Sequence, residues 1–151
     1  MTLAFTEISA LPREIDDLAQ IAKLEGFGMV QRLIDDYASG SNRFSKPGER
    51  LYVALAHDRP IAVGGINVDP YYPSASLGRI RHLYVHPDYR LTGVGRRVMG
   101  LIEQHGAKYF DEFQLFTASQ PASRFYESLN YSPVQGRWKV SHAKRAAARS
   151  L

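Results

Sequence analysis

Between Leu51 and Val85 three apolar runs, LYVALAH, PIAVGGINV and GRIRHLYV, follow one another across links too short to hold a crossover helix. Asp58 and Arg59 alone separate the first two, which suits an antiparallel hairpin, and the turn-rich DPYYPSAS leads to the third. The chain must therefore form a meander here, and its other segments have to cover that sheet. Upstream, LAFTEIS (Leu3–Ser9) alternates as a strand does, and Pro12 suits the first turn of a helix. Ile15, Leu18, Ala19, Ile21 and Ala22 recur at helical spacing up to Gly26, and Val30, Leu33, Ile34 and Tyr37 share the face of a second helix before the loop SGSNRFSKPGE. Downstream, Val94, Val98, Leu101, Ile102 and His105 mark a third helix, FQLFT (Phe113–Thr117) a strand, and ASRFYESL (Ala122–Leu129) a fourth helix. YSPV and RWKVSH, within residues 131–142, read as terminal strands. Antiparallel strands early and crossover helices late predict an α/β chain of the α+β kind, with a mixed sheet covered by helices.

A length of 151 residues supports one core, so residues 1–142 are expected to form a single domain and 143–151 a frayed basic tail. IAVGGI, the longest apolar stretch, is far short of a membrane helix, and MTLAFTEIS lacks the basic flank of a leader. A cytoplasmic protein with no membrane partner is expected. With no cysteine, disulfides, thiolate metal sites and a cysteine nucleophile are excluded, and no metal is expected. The net charge of +4 suggests nucleic acid until it is located. Lys144, Arg145 and Arg149 lie in AKRAAARSL, which holds no acid, so residues 1–142 carry a net of one. A basic docking face is therefore not expected, and neither is a nucleic-acid partner.

RLTGVGRR (Arg90–Arg97) joins an apolar strand to a helix through two glycines. The first helical N–H groups have no intrahelical partner and the helix dipole adds positive potential, so this junction can hold an anion. Gly93 and Gly95 permit close backbone approach, while Arg90, Arg96 and Arg97 offer charge-assisted hydrogen bonds. No lysine followed by serine or threonine closes a Walker loop, and the third glycine of a dinucleotide fingerprint is missing.

LYVHPDYRLTGVGRR, followed by ASRFYESLNY, resembles the GNAT family of acetyl-CoA-dependent N-acetyltransferases. Arg90, Gly93 and Gly95 match the family's acyl-CoA loop; Ala122, Phe125, Tyr126 and Tyr131 match its downstream helix. The resemblance implies an acyl-CoA N-acyltransferase fold, with six to seven strands flanked by about four helices. It implies acetyl-CoA as cosubstrate, contacted by Leu83, Val85, Arg90, Leu91, Thr92, Gly93, Val94, Gly95, Arg96, Ser119 and Phe125. The acceptor is then a primary amine, of a small molecule or an α-amino group, that attacks the thioester directly, and a homodimer is a permitted assembly. Tyr126 takes the place of the general acid, and the backbone N–H of Val85 that of the donor to the thioester carbonyl. Ser119 stands where many relatives carry asparagine, and Asn130 where they carry glycine.

Arg79 stands where several family members carry a glutamate base, and an arginine cannot serve as one. His82 is a substitute only if a bulge turns it to the side of Arg79. Without a strong base, a lysine side chain costs about 4.6 kcal/mol to neutralise at pH 7, against about 1 kcal/mol for an α-amine. A low-pKa amine is therefore expected, with Arg79 against an acidic group on it, and Asn67, Asp69 and Tyr71 as further acceptor contacts. Two other readings remain at this level: an acyl-CoA-binding regulatory module without catalysis, and an acetyltransferase acting on an aminoacylated RNA or a protein.

Overall fold

Alternation shapes the first strand of the computed structural model, which describes residues 2–148. β1 (Leu3–Ile8) pairs antiparallel with β2 (Arg50–Ala56), β2 with β3 (Arg59–Val68), and β3 with β4 (Leu77–Val85). The expected meander is present. His57 and Asp58 take φ of 51° and 63°, the left-handed pair that a tight two-residue hairpin demands. β5 (Glu112–Leu115) joins β4 in parallel, and the sheet closes in the order β1-β2-β3-β4-β5-β7-β6, seven strands of mixed sense.

Helices cover both faces, which is why β3 is buried along nearly its whole length. α1 (Ile15–Leu24) and α2 (Met29–Ser39) press Ile15, Leu18, Ala22, Val30 and Leu33 against Leu51, Val53, Val63 and Tyr84. α3 (Val94–Gly106) and α4 (Gln120–Ser128) cover the opposite face, where Val98, Met99 and Ile102 meet Tyr52, Ala54, Ile66 and Phe113. Full burial of residues such as Val98 and Ile102, both 0% exposed, contributes about 1.5–3 kcal/mol each.

The chain's last segments depart from the reading of the sequence. Residues 137–141 of the expected RWKVSH strand are turns and loop, with Lys139 at φ 56° and Gly136, just before them, at 74°. The strand begins at His142: three of the four residues of β7 (His142–Arg145) lie in the tail expected to fray, inserted between β5 and β6 (Ser132–Pro133). Lys144 holds it there, donating to Glu103 at 2.8 Å and to the Leu129 carbonyl at 2.9 Å. Arg149 lies outside the described residues. At the other end, Pro12 precedes α1 rather than opening it; its carbonyl accepts the Ile15 N–H at 3.1 Å in a preliminary turn.

Two irregularities in β4 prepare the site. β5 pairs with β4 only from Leu77 to Arg79, after which β4 continues to Val85 with that edge unpaired. On the other edge, Val63 faces Tyr84 but Gly65 faces Arg81, so His82 and Leu83 together oppose Gly64. This is a β-bulge, with His82 at φ 61°.

Candidate active site

The bulge sorts the side chains of β4 between the two faces. Ile80, Leu83 and Val85 pack with the α3 side, Tyr84 with the α1 and α2 side, and His82 edges against Phe44 of that same side at 6.1 Å. His82 thus shares a cavity of about 440 Å3 with Arg79 and Arg81, as the sequence permitted only in the presence of a bulge.

Downstream of the bulge the ladder is regular again, and the His86 N–H donates to the Ile61 carbonyl at 2.8 Å. Hydrogen-bonded and non-bonded pairs alternate along an antiparallel ladder, so the Val85 N–H faces away from β3, into the gap that β5 vacated. The Val85 carbonyl points to the same edge, where Arg90 Nε donates to it at 3.1 Å.

The glycine loop adjoins that gap. A short 3-10 turn (Pro87–Tyr89) leads into Arg90, Leu91 at φ 62°, Thr92, and Gly93 at φ 86° as the cap of α3. No side chain caps α3, so its first N–H groups, Val94, Gly95 and Arg96, have no helical acceptor. Open space surrounds Gly93, whereas a Cβ on Gly95 would stand 3.2 Å from Phe125 Cζ and 3.5 Å from Val85 Cγ2. The loop is therefore open at Gly93 and packed at Gly95. Thr92 turns its hydroxyl to the Tyr89 carbonyl, and Leu91 projects fully into solvent. Arg96 reaches Ser128 at 3.4 Å, and Arg97 lies over Phe5. Arg90, expected to offer its guanidinium to the anion, gives it instead to Glu25 just beyond α1, and both partners also meet Tyr84.

Ser119 caps α4, accepting the Ala122 N–H at 3.3 Å. One turn on, Tyr126 is buried with its ring edge-on to Phe125 and Tyr131, and its hydroxyl makes no hydrogen bond among the described residues. Burial raises its pKa above that of an ordinary phenol, so the hydroxyl stays protonated. His142 fixes this helix from below, its Nε2 2.9 Å from Glu127.

The cavity on the α2 side of β4 is lined by Arg32, Arg79, Arg81 and Lys139 among other residues, with no carboxylate in its wall among the described residues. Arg79 donates Nε to Asp69 and Nη1 to the Lys139 carbonyl, at 3.0 and 2.8 Å, while its buried Nη2 has no partner among the described residues. Asp69 is fully occupied: it also accepts from Gln114 at 3.0 Å and from the Tyr71 N–H at 3.0 Å. Asp69 was expected to meet the acceptor, but its carboxylate is used inside the fold. Asn67 is buried beside it, directly across the β3–β4 ladder from Arg79, and lines an adjoining cavity of about 580 Å3 that Arg81 also borders. Tyr71 borders both cavities, its ring under Arg79 at 4.9 Å and Lys139 at 4.3 Å. The His82 Nε2 is buried without a partner, and its pKa is pushed down to about 3, chiefly by burial and then by Arg81 and Arg32. His82 is a neutral hydrogen-bonding group here, not a base of useful strength.

Arg32, Arg81, Lys139 and Phe116 were missed as members of this cavity. Arg81 had a signal, since it shares the strand face of Arg79 two residues on. The bulge had one too: Gly64 and Gly65 stand together inside a strand, and a Cβ at Gly64 would lie 2.9 Å from Leu83. Arg32 and Lys139 come from distant segments and had none.

No curated protein gives a significant match to this sequence. Solved structures do. A protein of Exiguobacterium sp. 255-15, provisionally described as an acetyltransferase, is 28% identical with a TM-score of 0.85, over 96% of this chain and 94% of that one. A GNAT-family acetyltransferase of Staphylococcus aureus Mu50 superposes with a TM-score of 0.72 at 13% identity, covering 94% of this chain and 99% of its own. The PaiA N-acetyltransferase of Thermoplasma acidophilum, solved in complex with coenzyme A, gives 0.69 at 15%, covering 96% and 99%. The Acetyltransferase (GNAT) domain model matches residues 47–133, more than half of the sequence and the whole run from β2 to β6. On the meander, the vacated edge of β4, the uncapped glycine loop and this match, the chain belongs to the GNAT acetyltransferase family.

Proposed function

We propose that the protein transfers an acetyl group from acetyl-CoA to the primary amine of a small molecule or an α-amino group. Bound acetyl-CoA supplies an activated acetyl thioester. The observation that carries this reading is the gap beside β4, with an uncapped helix N-terminus and the apolar Leu83 and Val85 on one side and the cationic cavity on the other. The N–H groups at Val94, Gly95 and Arg96 and the open space at Gly93 suit a pyrophosphate. Arg90 contributes by fixing the loop, since its own donors are spent on Glu25 and Val85.

In the transfer, the amine nitrogen bonds to the acetyl carbon, the carbon–sulfur bond breaks, and the proton lost by nitrogen balances the one gained by sulfur. The Val85 N–H, aimed into the gap, steadies negative charge on the carbonyl oxygen. Tyr126 donates its phenolic hydrogen to the departing sulfur. Complete transfer from an ordinary phenol to a thiolate is uphill by about 2 kcal/mol, and more for a buried phenol, so the hydrogen bond formed as charge builds is the larger contribution. No carboxylate base is required. The cations around the cavity disfavour an ammonium ion there, which lowers the pKa of an incoming amine and presents it neutral. His82 Nε2 is a hydrogen-bond acceptor for it.

Thiol release from acetyl-CoA across a panel of amines, run beside a titration with CoA alone, tests this reading. Amine-dependent thiol release is expected. Tight CoA binding with no release on any amine would leave a binding module and sink the transferase.

A further inference from the structure

We propose that the acceptor amine carries a carboxylate, held in the cavity beside β4 by Arg81 and the free Nη2 of Arg79, with Arg32 and Lys139 completing the site. The identity of the bound molecule as an acceptor rests on the transferase reading; the anion site stands on the cavity itself.

Four cations face one space of about 440 Å3. Arg79 is 4% exposed, and its Nη2 is a buried charged donor with nothing to donate to. A group of that kind is costly unless a ligand satisfies it. The side chains of Arg32 and Arg81 make no hydrogen bond or ion pair among the described residues, although both border the cavity. Burial, with the neighbouring Arg79 and Arg32, holds the pKa of Arg81 below the usual arginine value, although Tyr71 and Asp36 act in the opposite direction. Asp69, the carboxylate bonded to Arg79, is shared with Gln114, and Asp36 borders the adjoining cavity instead. Met29, the first residue of α2, also lines the space; Gly28 gives that helix no side-chain cap and its first turn holds no acid. Among the described residues, every charged side chain that lines this space is therefore cationic, and the carboxylates of Asp36 and Asp69 line the adjoining cavity, which Arg81 also borders.

Planar guanidinium forks match a carboxylate better than a spherical anion. Tyr71, whose ring is in contact with Arg79 and Lys139, lines the space, and Met29, Ile80 and Phe116 supply apolar surface for a short hydrocarbon chain. The volume suits a single small metabolite. A polyamine is opposed by the same wall.

The test uses initial rates of thiol release with glycine, glutamate and γ-aminobutyrate against their amides, phosphoethanolamine and spermidine. At least one carboxylated amine should exceed its amide and spermidine in kcat/KM by about tenfold or more. Arg81→Gln should raise the KM for that amine by about ten- to hundredfold and leave the KM for acetyl-CoA unchanged. Arg32→Gln, at an exposed helix position, should act in the same direction and covers the case in which the Arg81 variant does not fold. Amides or spermidine turning over as fast as the carboxylated amines, or phosphoethanolamine preferred over all of them, would overturn the proposal. Calorimetry on the CoA-loaded protein separates the two readings. Carboxylate-dependent binding with no thiol release on any amine keeps the anion site and removes the transferase. Release on uncharged or cationic amines alone does the reverse.

Discussion

Arg90 and Glu25 meet as a two-pronged ion pair, Nη1 to Oε2 at 2.8 Å and Nη2 to Oε1 at 2.6 Å. The pair ties the first residue of the glycine loop to the end of α1, some 65 residues away in sequence. Hydrogen bonds from Arg90 and then from Tyr84 hold the Glu25 carboxyl below its ordinary pKa, so the tether is intact above that range and is lost as pH falls through the lowered value. Both side chains are partly exposed, which limits the pair to about 0.5–1 kcal/mol. Glu25→Gln should raise the KM for acetyl-CoA about two- to fivefold with kcat nearly constant, as measured by steady-state kinetics. An unchanged KM would mean that the loop keeps its shape without the tether.

Tyr126→Phe keeps the ring packed against Phe125 and Tyr131 and removes only the hydroxyl. The variant should lose about a hundredfold in kcat while binding acetyl-CoA as before. Wild-type turnover in the phenylalanine variant would take Tyr126 out of the mechanism.

The two loop glycines should fail differently. Gly93→Ala meets no neighbour but must hold φ near 86°, which costs about 1–2 kcal/mol and lowers the melting temperature by a few degrees. Gly95→Ala has an ordinary helical backbone but presses on Phe125, the residue beside Tyr126. Its defect should appear in kcat more than in the melting temperature, and equal behaviour of the two variants would contradict the geometry.

His82 should make stability depend on pH. Its folded pKa near 3 lies below the ordinary 6.5, so between those values the unfolded chain binds a proton that the folded one refuses. Stability is thus lost on acidification, by about 2 kcal/mol between pH 6.5 and 5, above the range in which Glu25 contributes. His105, whose pKa burial also lowers, adds to the same slope. Chemical denaturation at several pH values should show a shallower slope in His82→Gln; an identical slope would mean that water reaches the imidazole.

These residues also show where the sequence was informative. The meander, the helices and the glycine loop followed from apolar periodicity and glycine placement, which are local signals. His82 could not be oriented from its position in the strand, because one extra residue opposite Gly64 reverses the side on which every later side chain falls. Arg79 was legible as a non-base, but Asp69 as its partner was not, since a hydrogen bond across ten residues and two strands depends on register. Arg90 looked like an anion ligand because nothing local marks Glu25 as its mate. The strand at 142–145 was misplaced because HAKR is not apolar; Lys144 belongs there through Glu103, 41 positions earlier.

That ion pair can be tested directly. Lys144→Met leaves Glu103 bonded to Tyr131 but removes the cation and its bond to the Leu129 carbonyl. The variant should lose about 1–2 kcal/mol, read from its denaturation midpoint, with more than half of that remaining in Lys144→Arg only if the fork cannot reach both acceptors.

β7 lies between β5 and β6 in the sheet yet is made after both. Until residues 142–145 dock, then, Glu112–Leu115 has a bare backbone edge on the side that β7 covers. That open edge is a place for another chain to pair. The four residues HAKR close that edge, so their docking is the step that guards this sheet against pairing with another chain.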